Sequence, residues 1–96
     1  MVKWSNSAKN DLKQIYNYIL KDSSFYAKKV VQDILSQVDI LNEFPNMGKI
    51  VPELNDEKIR EIFAYSYRII YQIIGDNTEI LALVHERRDV CLEINN

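Results

Sequence analysis

Three runs in the C-terminal half, Ile59 to Tyr65, Tyr67 to Ile74 and Thr78 to Val84, do most to restrict what this chain can fold into. Each is rich in the β-branched and aromatic residues that suit a pleated, half-buried surface. Gly75-Asp76-Asn77 separates the last two with residues that tolerate positive φ, and Ser66 marks a tighter turn between the first two. The expected product is an antiparallel three-stranded meander. Side chains alternate across a strand, so Tyr67, Ile69, Tyr71 and Ile73 share one face while Arg68, Ile70, Gln72 and Ile74 share the other.

A meander with an apolar face needs a second surface to cover it, and the N-terminal half supplies two amphipathic helices. Met1 to Trp4 reads as a short strand, after which Ser5-Asn6-Ser7 offers side-chain oxygens to cap a helix. Ala8, Leu12, Ile15, Tyr16 and Ile19 then recur at helical spacing, opposite Lys9, Lys13 and Asn17. Ser23 and Ser24 break that pattern and cap a second helix, whose stripe is Ala27, Val30, Val31, Ile34, Val38 and Leu41. Pro45 ends the run, because proline lacks the backbone donor and disfavours helix before it. So short a connection makes the helices an antiparallel hairpin. The predicted fold is α+β: strand, helix, helix and a three-stranded antiparallel meander, with the hairpin on one face of the sheet. Leu12, Ile15, Ile19, Val31, Ile34, Val38, Leu41, Ile69, Tyr71 and Ile73 form the predicted core.

The 96 residues suffice for one domain, spanning residues 1–96, and not for two independent cores. Cys91 is the sole cysteine, which excludes an intramolecular disulfide and a cysteine metal cluster and fits a reducing compartment. The N-terminus lacks the apolar core of a signal peptide and no run is long enough to span a bilayer, so the expected location is the cytoplasm, without a membrane partner. The formal net charge of −2 does not announce a nucleic-acid binder. Charge is uneven: residues 1–30 hold six lysines against Asp11 and Asp22, and residues 31–57 hold Lys49 against six carboxylates.

All the arginines, Arg60, Arg68, Arg87 and Arg88, lie between Arg60 and Asp89. Their planar forks suit phosphates and carboxylates, so concentrating them on a sheet favours recognition; pairing with Glu61, Glu86 and Asp89 at the surface is the plainer account. Arg68 falls on a half-apolar face, where a charge is costly unless satisfied. Either it is a buried ion-pair partner of Glu61, Glu79 or a C-terminal carboxylate, or it is an anion-binding group on an open, concave sheet face. His85 can exchange protons near neutral pH or merely hydrogen-bond at a strand end. No second histidine or cysteine lies at ligand spacing, and the two glycines, Gly48 and Gly75, make no phosphate loop, so neither a metal nor a cofactor is expected.

Leu12-x-x-Ile15-x-x-Tyr18-Ile19, Pro45-x-x-Gly48-Lys49-x-Val51-Pro52-Glu53, Arg60-Glu61, Tyr67-Arg68-Ile69-Ile70-Tyr71 and Val84-His85-x-x-Arg88-Asp89 occur in this order. Together they resemble the RelE/ParE superfamily of toxins from type II toxin–antitoxin modules, from roughly Val2 to Val90. The resemblance implies a protein that is toxic when free and is neutralised by a cognate antitoxin in a hetero-oligomer. It also implies one of two targets. RelE-like members are ribosome-dependent mRNA endonucleases; ParE-like members inhibit DNA gyrase.

Metal-free RNA cleavage needs a base at the 2′-hydroxyl, cations around the phosphorane and an acid for the leaving oxygen. In a RelE-like protein Arg68, His85, Arg87 and Arg88 would be the catalytic set. A tyrosine that many such nucleases carry soon after the last strand is missing from Arg88 to Asn96; Tyr65, Tyr67 and Tyr71 are substitutes, although aromatics at strand spacing are more often core. The Val84-His85-Glu86-Arg87-Arg88-Asp89 end is nearer to the ParE-like pattern, in which Arg60, Arg68, His85, Arg87 and Arg88 would bind the target. An inert interaction module that keeps the fold is the third reading.

Overall fold

The computed structural model describes residues 1–87 and places seven elements in chain order. These are β1 (Val2–Trp4), α1 (Asn6–Leu20), α2 (Ser24–Ile40), β2 (Lys49–Ile50), β3 (Ile59–Ala64), β4 (Tyr67–Ile74) and β5 (Asn77–His85). The predicted meander is β3-β4-β5, extended on both sides into a five-stranded sheet of order β1-β5-β4-β3-β2. β1 runs parallel to β5, with Val2 opposite Thr78, and β2 runs antiparallel to β3, with Lys49 opposite Glu61. The sheet is therefore mixed. No helix among the described residues is long and apolar enough to cross a membrane.

The helix starts follow from their serines. Ser5 Oγ accepts from the Ala8 amide and Ser23 Oγ accepts from the Tyr26 amide, each satisfying an orphan donor of the first turn. α2 stops at Ile40 with Leu41 as its C-cap, ahead of Pro45. The hairpin of α1 and α2 covers the sheet face that carries Ile62, Ala64, Ile69, Tyr71, Ile80 and Leu83, and it contributes Ala8, Ile15, Val30, Ile34, Val38 and Leu41 to that core. Leu12, Ile19, Tyr67 and Ile73 pack half-buried around it. Val31 corrects the predicted core: it is half-buried and Val30, one residue earlier, is the side chain that enters. Val30 continues the three- and four-residue spacing of Ala27, Ile34, Val38 and Leu41, whereas Val31 is rotated about 100° further round the helix, to the edge of the stripe.

The other sheet face has its own smaller cluster of Val51, Ile59, Ile70 and Ala82, with Leu54, Leu81 and Val84 against it. A bulge makes this possible. Register shifts between Ile70 and Tyr71, which face Ala82 and Ile80, so Leu81 is the extra residue of β5. Both hairpins of the meander close through two residues: Ala64 pairs with Tyr67 around Tyr65-Ser66, and Ile74 pairs with Asn77 around Gly75-Asp76. Beyond Ile80, where β1 no longer covers β5, polar groups of the first helix take over the edge. Ser5 Oγ donates to the Leu81 carbonyl and Asp11 Oδ2 accepts from the Leu83 amide, which blunts a row of exposed strand groups.

Candidate target-binding site

Arg68 does not lie on an open concave face. It faces the smaller cluster from the second position of β4, and its side chain is 7% exposed. Its Nε donates to Glu61 Oε1 at 2.6 Å, while Nη1 and Nη2 reach the two carboxylate oxygens of Glu53 at 2.8 Å each. This fork-to-fork geometry is the strong form of the arginine–carboxylate contact. The Glu61 side chain is 2% exposed and that of Glu53 is 26% exposed, so one ion pair is buried and the other closes it from the solvent side. The Glu53 bond, together with Glu61, holds the guanidinium pKa above its ordinary value. Of the two sequence readings, the buried ion pair is correct; Glu61 was among its candidate partners and Glu53 was not.

Arg60, half-buried, is also engaged within the fold. Its Nη1 donates to the Gly48 carbonyl at 2.9 Å and its Nε to the Glu57 carbonyl at 3.1 Å, so it ties the β2 loop to β3. The same loop is held from below by Tyr71, whose hydroxyl donates to the Pro45 carbonyl at 2.6 Å and accepts from the Gly48 amide at 2.9 Å. Burial pushes the Tyr71 phenol up, against the opposing effect of the Gly48 bond. Gly48 is required by space: a Cβ there would stand 2.6 Å from the Glu61 carbonyl oxygen and 2.6 Å from the Tyr71 hydroxyl.

His85 and Arg87 are brought together at the end of β5, where both are exposed. His85 Nδ1 accepts from the Arg87 amide at 3.2 Å, the strand-end role that its position suggested, and its ring meets Tyr67 edge-on at 6.1 Å. Asp11, Gln14, Ile15, Tyr18, Tyr67 and Leu83 complete an open hollow of about 430 Å³ beside it, between α1 and β5. Burial, with Tyr18 nearby, raises the Tyr67 pKa. Because Tyr67 lies directly opposite His85 and Arg68 is the next residue along, His85 and Arg68 face opposite sides of the sheet. The predicted set thus divides: His85 with Arg87 on one side, Arg68 on the other, and Arg60 directly opposite Tyr71, four residues further along β4 than His85. Arg88 lies outside the described residues.

Sequence reasoning named Tyr65 as a candidate but not the cluster that it forms with Tyr26 and Asp33 at the same end of the sheet. Tyr65, at the tip of the β3–β4 hairpin, has φ 57 and a hydroxyl hydrogen-bonded to Asp33 of α2; Tyr26 stands edge-on to it at 6.1 Å. That bond lowers the Asp33 pKa and pushes the Tyr65 phenol up to about 12. The Glu86 amide donates to the Ser66 carbonyl at 2.7 Å, joining this turn to the His85–Arg87 segment. Ser66 gave the turn away in the sequence, but nothing there tied it to the second helix.

Two helices on one face of a five-stranded mixed sheet define a small α+β fold, and solved structures share it. Residues 2–90 match the family described as ParE toxin of type II toxin-antitoxin system, parDE, and the chain belongs to that family. Similar solved structures include one described as the chromosomal ParDE TA system from P. aeruginosa, 28% identical, covering 88% of this chain and 92% of that one with a TM-score of 0.73. Another is described as the YoeB-YefM complex from Staphylococcus aureus, 15% identical over 88% of this chain and 94% of that one, TM-score 0.57, a likeness of fold alone. A search of the curated proteins gave no match.

Proposed function

We propose that this chain is a growth-inhibiting toxin that acts on DNA gyrase and is held inactive by a cognate antitoxin bound to it in a hetero-oligomer. The observation that carries the choice of target is Arg68. Its guanidinium is closed by Glu61 and Glu53 and turned away from His85, so it is poorly placed to stabilise a phosphorane that His85 would help to form. A protein that works by binding does not need that constellation. Membership of the ParE family and the likeness to a ParDE system support the same reading.

One observation favours the ribosomal nuclease as the second reading: a phenol, an imidazole and a guanidinium, from Tyr67, His85 and Arg87, lie at one strand end. Controlled expression distinguishes the two. With the antitoxin absent, a gyrase poison gives a supercoiling defect and DNA-damage signalling before protein synthesis declines. Early arrest of translation with codon-positioned mRNA cuts would instead establish the nuclease.

A further inference from the structure

The two hairpins of the meander pose a direct comparison. Both have two-residue loops, and both turn through a first loop residue in the left-handed region, at φ 60 and φ 57. In the β4–β5 loop that residue is Gly75, as the geometry prefers; in the β3–β4 loop it is Tyr65. A bulky residue at positive φ is an outlier, and such outliers gather where a side chain serves something other than the fold. Tyr65 is 43% exposed, and its neighbours Tyr26 and Phe25 are 46% and 76% exposed. The Ser66–Glu86 bond makes this aromatic tip continuous with exposed His85 and Arg87. Arg68 and Arg60, meanwhile, are engaged within the fold, so the arginine surface expected from sequence contracts to this end of the sheet among the described residues.

We propose that Tyr65 and Arg87 anchor the surface by which this chain grips its protein target, an inference that rests on the gyrase-binding reading above. Tyrosine and arginine are the residue types that dominate binding energy at protein interfaces. The fitting partner is a protein segment with an apolar socket for the rings of Tyr65 and Tyr26 and a carboxylate for Arg87. A nucleic-acid backbone fits less well, because Asp33 beside Tyr65 and Glu86 beside Arg87 place carboxylates within the surface.

Tyr65→Gly tests this without penalising the turn, since glycine suits the observed φ. Relief of the turn offsets loss of the Asp33 hydrogen bond, so the variant is expected to melt near the wild-type temperature, to retain the antitoxin, and to require at least about tenfold more protein for half-inhibition of purified gyrase. Tyr65→Phe, which keeps the ring, should restore inhibition relative to the glycine variant. Arg87→Ala, a change at an exposed position, carries the same expectation if the glycine variant melts early. Wild-type inhibition by both Tyr65→Gly and Arg87→Ala would overturn the proposal. So would loss of the antitoxin with inhibition retained, which would make this the antitoxin's surface. A wild-type chain without effect on supercoiling would overturn the gyrase reading itself, and this surface with it.

Discussion

At Arg68 a charge needed for the fold occupies the place where a charge for function was expected. Removing it by Arg68→Ala leaves Glu61, 2% exposed, without its guanidinium, and breaking a buried pair from one side costs about 3–5 kcal/mol. Chemical denaturation should show a loss of that size. Loss of toxicity in this variant therefore reports on folding unless stability is measured beside it. Tyr65 makes a second residue-level prediction. Its folded pKa of about 12 exceeds the ordinary 10.0, so the Asp33 bond stabilises the fold fully below pH 10.0, and this contribution disappears as pH rises through about 12. Asp33, lowered by the same bond, contributes above its ordinary 3.8, and the contribution is lost as pH falls through its folded value. Subtracting the ultraviolet titration of Tyr65→Phe from that of the wild type should isolate one phenol titrating near 12; a midpoint near 10 would remove the bond. The need of Arg68 for a counter-charge was legible in the alternation of β4. Glu53 was not, because its approach depends on the path of a loop that periodicity does not describe.

Among the elements, the segment between α2 and β3 depends most on single contacts. Tyr71→Phe removes the acceptor of the buried Gly48 amide and the donor to Pro45, and an orphaned buried group costs about 1–3 kcal/mol. Thermal unfolding should register this, with faster hydrogen exchange at the Gly48 amide. Unchanged exchange there would show that Tyr71 does not hold the loop. Both helices, their serine caps and the three meander strands were visible in the sequence, since each has a period or a cap that single residues declare. β2 was not, because two residues carry no period, and the parallel pairing of β1 with β5 was not, because it joins the two ends of the described chain. Val30 and Val31 show the limit within an element: the stripe was right and the inward residue was not.

The whole molecule combines a net charge of −2 with exposed apolar side chains such as Phe25, Phe44, Tyr18 and Phe63, a surface suited to protein partners more than to nucleic acid. Its arginines, read from sequence as one recognition set, separate in space into fold-holding Arg60 and Arg68 and exposed Arg87. No pattern in one dimension could make that division, because it depends on which sheet face each strand presents and on what the intervening loop brings over it. The claim that this toxin binds gyrase and does not cleave RNA is tested most directly with the purified chain. It should be titrated into a supercoiling reaction with purified gyrase and, in parallel, into ribosomes programmed with a defined mRNA. The account predicts dose-dependent loss of supercoiling, reversed by the antitoxin, with the mRNA intact; codon-positioned cuts in the mRNA with supercoiling unaffected would contradict it.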